Sequence, residues 1–115
     1  MTQRPNLLFI WTDEQRADTL DCYGDNFVQT PHLDRLAERS FVFGNAYCAQ
    51  PVCTPSRASI LTGLWPHTHG CVINNAPLPA STPTIAELLP DEYRCAYYGK
   101  WHLGEGPRHC PAGFD

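Results

Sequence analysis

The first apolar block of the chain is Asn6-Leu7-Leu8-Phe9-Ile10-Trp11-Thr12, a continuous run that ends in Asp13-Glu14. An unbroken apolar run of this length predicts a strand buried on both faces of a parallel sheet. Two shorter runs, Phe41-Val42-Phe43 through Tyr47 and Arg94-Cys95-Ala96-Tyr97-Tyr98, predict a second and a third strand. Between them the period changes. After Thr30-Pro31, Leu33, Leu36 and Ala37 recur at helical spacing while Asp34, Arg35, Glu38 and Arg39 take the other positions, which predicts an amphipathic helix through Ser40. Ala58-Ser59-Ile60-Leu61-Thr62 predicts a short helix opened by Thr54 as N-cap with Pro55 at the first helical position, and stopped by Gly63. Thr84-Ile85-Ala86-Glu87-Leu88-Leu89 predicts another, closed by Pro90 and Asp91. Residues 15–29, with a turn at Gly24-Asp25-Asn26, and residues 65–83, rich in Pro, His and Asn, predict irregular connections. Strands alternating with helices predict an α/β fold, a partial and mostly parallel sheet flanked by helices. In such sheets sites form beyond the carboxyl ends of the strands, where Asp13 and Glu14 fall.

Composition narrows the picture. A chain of 115 residues forms one domain at most, and 43% hydrophobic with 17% charged residues is ordinary for a globular protein. A net charge of −4 with scattered arginines and a single lysine, Lys100, argues against a nucleic-acid partner. No apolar run reaches membrane-spanning length, which argues against a membrane partner. Met1-Thr2-Gln3-Arg4-Pro5 leads straight into the first strand and leaves no room for a signal peptide, which predicts a cytoplasmic location. The six cysteines (22, 48, 53, 71, 95, 110) include no Cys-x-x-Cys pair. Without a secretion signal they read as small buried thiols more than as a disulfide framework.

Cys53 stands apart. It lies at a helix start, near backbone N–H groups that lack intrahelical partners and near the positive helix end. Arg57, one turn on, would reinforce that preference for anions. Asp13 and Glu14 offer the oxygen ligands of a hard cation, and Gln15 a further oxygen; the plain alternative is a solvated pair at a strand end. Lys100 and His102 share a face if their segment is extended, with Trp101 turned the other way into the core. His67, His69 and Cys71 form a His-x-His-x-Cys cluster that can bind zinc, or whose histidines hydrogen-bond loop backbone.

The run Cys53-Thr54-Pro55-Ser56-Arg57 resembles the signature of the type I sulfatases, members of the alkaline-phosphatase-like superfamily. The likeness extends through Thr30-Pro31-His32-Leu33-Asp34-Arg35-Leu36-Ala37, Asn45-Ala46-Tyr47, Ser59-Ile60-Leu61-Thr62-Gly63 and Pro66-His67-Thr68-His69-Gly70. It resumes at Gly99-Lys100-Trp101-His102-Leu103-Gly104, which is similar to the second sulfatase signature. The resemblance implies a sulfuric ester hydrolase acting on a small-molecule or carbohydrate sulfate ester. It implies that a maturation enzyme converts Cys53 to formylglycine, whose hydrate attacks sulfur with one hydroxyl and expels sulfate with the other. It also implies one calcium ion held by Asp13, Glu14 and residue 53; many members have Asp-Asp where this chain has Asp13-Glu14. Arg57 would hold the diol, Lys100 both the diol and the sulfate, and His102 the diol. Cys53, Arg57, Lys100 and His102 are thus the implied catalytic set.

Family members are several times longer, so residues 1–115 read as the N-terminal portion of one catalytic domain, truncated at its C-terminal end. The further metal ligands, a leaving-group histidine and a second lysine would come from later sequence. The expectation is that the chain alone is inactive, binds calcium weakly and leaves an apolar sheet face uncovered. Two rivals stand beside the sulfatase reading. One is a phosphonate monoester or phosphodiester hydrolase of the same superfamily; the other is a non-catalytic metal-binding module using His67, His69 and Cys71.

Overall fold

A computed structural model describes residues 4–24, 27–104 and 113–114. Asp25 and Asn26 of the expected turn, and Cys110, lie outside the described residues. The chain divides into two compact units, Met1–Ala46 and Tyr47–Asp115.

In the first unit, helix α1 spans Pro31–Ala37. Pro31 opens it because its fixed φ suits a helix start and its missing N–H is no loss there. The hydroxyl of Thr30 donates to Asp34 Oδ1 at 3.0 Å and accepts the Asp21 N–H at 3.0 Å. That oxygen therefore ties the helix to the second of two short 3₁₀ turns, Ala17–Thr19 and Asp21–Tyr23, inside the segment expected to be irregular. The helix ends earlier than its apolar period predicts. Arg39 and Ser40 donate to Leu36 and Ala37, three residues back, so the last turn tightens and stops.

Among the described residues no strand forms, so the expected sheet is not seen there. The runs at 6–12, 41–47 and 94–98 carry no ladder, because a ladder needs a second segment facing the first, and the backbone bonds here are mostly local turns. Only the local half of strand character is visible. The rings of Phe9 and Trp11 meet at 5.1 Å and those of Phe41 and Phe43 at 4.8 Å, the two-residue period of extended backbone. Leu8 (86% exposed) and Ile10 (77%) are bare, and so are Leu7 and Phe9 on the alternate positions.

The second unit is better packed. Helix α2 spans Cys53–Thr62, α3 Pro66–His69 and α4 Ile85–Leu88. Helix α2 begins two residues earlier than expected, with Val52 as its N-cap. Gly63 stops it in the left-handed region at φ 69°, donating to Ser59 O at 2.9 Å. Helix α3 is a single turn between Pro66 and Gly70, and it packs on α2. Helix α4 carries a capping box between Thr84 and Glu87, with the Thr84 N–H bonded to Glu87 Oε2 at 2.8 Å. The core is small: Ala58, Leu61, Cys71, Ala86 and Leu103, with Thr54, Arg57, His69 and Thr84 buried among the polar residues. No helix among the described residues is long and apolar enough to cross a membrane.

Candidate active site

The first turn of α2 positions the chemistry. Cys53 takes the first helical position and is half-buried. Thr54, expected as the N-cap, instead faces away from that role. Its N–H donates to Asn74 Oδ1 at 3.0 Å, and its hydroxyl donates to the His102 carbonyl at 2.8 Å while accepting the Asn75 N–H at 3.1 Å. Pro55 has no N–H, and Ser56 donates to Val52 O at 3.0 Å. The row of open donors expected at this helix start is therefore largely closed by the chain itself.

Arg57, the residue expected to reach across to an anion, is only 5% exposed. Its Nη1 donates to the Lys100 carbonyl at 2.7 Å and to the Tyr97 hydroxyl at 3.4 Å. The Tyr97 hydroxyl also donates to the Lys100 carbonyl, at 2.6 Å. Tyr97 is fixed in turn by edge-on contacts with Trp101 at 5.5 Å and Phe114 at 5.7 Å. The two sequence motifs, residues 53–57 and 99–104, are thus joined through backbone carbonyls of the second.

The shape of that second segment departs from the extended one expected for Lys100 and His102. His102 lies in the left-handed region at φ 57°, which breaks the alternation of side chains. Lys100 is exposed and Trp101 half-buried. Gly104 follows at φ 106°, where a Cβ would stand 2.7 Å from Pro77 Cβ; only glycine fits. Leu78 then donates to Leu103 O at 3.0 Å, which pins the segment against residues 77–78. His102 Nε2 lies 2.8 Å from Asn75 Oδ1, while its Nδ1 is buried and has no hydrogen-bond partner among the described residues. Asn75 also has a positive φ, 64°. Sequence reasoning missed Asn74 and Asn75, although an Asn-Asn pair in a loop signals left-handed backbone and side-chain bonding to nearby N–H groups.

Asp13 and Glu14 belong to the first unit, at the end of the exposed apolar run. Glu14 also adopts a positive φ, 55°, and both carboxylates are exposed. Gln15 donates its amide to Thr19 Oγ1 at 2.7 Å, so that side chain is turned to its own turn.

The His-x-His-x-Cys cluster has a structural arrangement. His69 is 1% exposed; its Nδ1 accepts the Cys71 N–H at 3.1 Å, so Nε2 carries the proton and donates to Ser59 Oγ at 3.1 Å. Both ring nitrogens are engaged. Burial holds the His69 imidazole below its usual 6.5, with the charge of His67 adding and a backbone hydrogen bond opposing. Burial also pushes the Cys71 thiol up, away from the thiolate that zinc requires. His67 is exposed.

A solved 2-O GAG sulfatase superposes on 85% of this chain and 22% of its own, with a TM-score of 0.69 and 30% identity. The likeness is to a portion of a sulfatase's fold. An ulvan-active sulfatase of Formosa agariphila is 48% identical over 119 residues, covering 97% of this chain and 23% of the relative. An N-acetylglucosamine-6-O-sulfatase of Bacteroides thetaiotaomicron is 39% identical over 115 residues, covering 99% of this chain and 20% of the relative. The profile of the family described as Sulfatase matches residues 5–115, and the chain belongs to that family. It spans about a fifth of the length of these curated relatives.

Proposed function

We propose that this chain supplies part of the catalytic domain of a sulfuric ester hydrolase, with Cys53, Arg57, Lys100 and His102 as its catalytic residues. The observation that carries the reading is the buried guanidinium of Arg57 bound to the Lys100 carbonyl, which joins the two sulfatase-like motifs. A buried charge is kept only where it is held by hydrogen bonds, and this one is held at the junction of both motifs. Relatives named for ulvan and for N-acetylglucosamine 6-O-sulfate point to a carbohydrate sulfate ester as substrate.

The donor chemistry fits the family's cofactors. Asp13 and Glu14 offer hard carboxylate oxygens, whereas an unmodified thiol at residue 53 is a soft ligand poorly suited to calcium. An oxygen at residue 53, as formylglycine carries, would suit a hard cation as those carboxylates do. The hydrated aldehyde supplies two hydroxyls, one to displace the alcohol from sulfur and one to release sulfate, while a divalent cation stabilises negative charge. Around it, Arg57 and Lys100 balance the charge of the sulfate, and His102 holds or takes a hydroxyl proton at residue 53. The maturation enzyme that oxidises Cys53 is the protein partner this reading requires.

Turnover of a fluorogenic sulfate ester by the whole catalytic domain of which this chain is part, made in a host that carries the maturation enzyme, tests the proposal. Activity that is abolished in Cys53→Ala supports it. Activity that survives Cys53→Ala places the chemistry elsewhere.

A further inference from the structure

Three segments meet at the first turn of α2 through a closed ring of hydrogen bonds. The Asn75 N–H donates to Thr54 Oγ1, the Thr54 hydroxyl donates to the His102 carbonyl, and the His102 ring returns to the Asn75 side chain. Both residues that close the ring, Asn75 and His102, sit at positive φ, at 64° and 57°. Backbone of this kind persists where the surroundings enforce it. Here the ring enforces it, and its product is one fixed imidazole.

The protonation of that imidazole follows from its two neighbours. Nε2 lies 2.8 Å from Asn75 Oδ1, an oxygen that can only accept, so Nε2 carries the proton. A neutral imidazole then has no proton on Nδ1, the buried nitrogen that has no partner among the described residues. Buried polar atoms are nearly always satisfied, so one left open beside a motif asks for a ligand group. The available group must be a donor, because a bare ring nitrogen can only accept.

We propose that Asn75 is a positioning residue: its side-chain oxygen holds His102 as the Nε2–H tautomer and keeps Nδ1 as the one nitrogen able to accept a proton. The consequence for catalysis rests on the sulfatase reading above, in which a hydroxyl at residue 53 is the donor. The claim about the tautomer rests on the ring of hydrogen bonds alone. Asn75 acts through His102 and need not touch substrate. Its positive φ also explains why an asparagine serves here: asparagine tolerates that backbone and brings an acceptor with it.

Two substitutions separate the side chain from the backbone. Asn75→Gly keeps the positive φ and the N–H bond to Thr54 but removes the acceptor. Asn75→Asp keeps an acceptor that can never donate. Nitrogen-15 NMR of the full chain with labelled histidine, at mildly alkaline pH, reads the tautomer of His102 directly. The expected result is Nε2–H in the parent chain and in Asn75→Asp, and a mixture with Nδ1–H in Asn75→Gly. In a sulfate-ester assay of the whole catalytic domain the glycine variant should lose roughly 10-fold in kcat with little change in KM, restored in the aspartate variant, on the scale of one lost hydrogen bond. An unchanged tautomer in Asn75→Gly overturns the proposal. So does a switch to Nδ1–H in Asn75→Asp, since it would mean that Asn75 donates to the ring. A tautomer that responds as expected in a whole catalytic domain that shows no sulfate-ester turnover sinks the sulfatase reading and leaves the assignment of Asn75 standing.

Discussion

Replacing Thr54 by valine removes one oxygen and keeps nearly the same shape, yet that oxygen makes two hydrogen bonds between separate segments. Thr54 is fully buried. Its hydroxyl holds the His102 carbonyl at 2.8 Å and the Asn75 N–H at 3.1 Å. In the valine variant both backbone groups lose their partner. A hydrogen bond of this kind contributes about 0.5–1.5 kcal/mol, and a buried group left without one costs about 1–3 kcal/mol. Asn75 is exposed and His102 half-buried, so water can partly replace the lost partners. The lower part of the range therefore applies, and Thr54→Val should cost about 2–3 kcal/mol in total. Thr54→Ser keeps the hydroxyl and loses a methyl group, which should cost about 0.8 kcal/mol. Urea titration of the three proteins, followed by fluorescence, reads this as a shift of midpoint at constant slope. If Thr54→Val lies within about 0.5 kcal/mol of the parent, the size of an ordinary surface change, the hydroxyl does not hold the two motifs together. A serine variant as damaged as the valine variant would refute the reasoning equally.

Gly104→Ala should be among the most damaging small changes, because it imposes φ 106° on a side chain and drives its Cβ to 2.7 Å from Pro77 Cβ. The expected loss is about 1–3 kcal/mol or more in the same titration, and a neutral result would mean that residues 77 and 104 are not packed together. For His69 the sign follows from its lowered folded value. Above 6.5 the ring is neutral whether folded or not, so its contribution is complete; below that the unfolded chain binds the proton first, and stability falls as pH drops toward the folded value. The urea midpoint should therefore decline as pH falls below about 6.5, and decline less in His69→Gln; equal slopes in both proteins would remove His69 as the cause.

The helices were legible because their signals are local. Thr30-Pro31, Thr84 with Glu87, and Gly63 each act within one turn, and the structure uses them where the sequence places them. Helix α3 carried the same kind of signal, Pro66 at its start and Gly70 at its end, inside a segment whose composition reads as loop. The sheet was not legible in this way. The run at 6–12 has the composition of a buried strand, but a strand is a relation between two segments, and no ladder partner faces it among the described residues. The Cys53 and Lys100 motifs marked two segments that the structure joins, whereas the bonds that join them were invisible. Those bonds run from side chains to backbone carbonyls and N–H groups of residues 48 and 21 positions away, as Thr54 does with His102 and Asn75. Arg57 is the instructive case. Its place in the motif suggests an arm for anions, and its geometry adds a second task, holding the Lys100 carbonyl.

The account turns on whether residue 53 leaves the thiol state. Mass analysis of the peptide that carries Cys53, from protein made in a host with the maturation enzyme, tests this most directly. Conversion of cysteine to formylglycine lowers the mass by about 18 Da, and the account predicts that loss at residue 53 and at none of the other cysteines. A Cys53 peptide that keeps its thiol mass under those conditions, and alkylates as an ordinary cysteine, would contradict it.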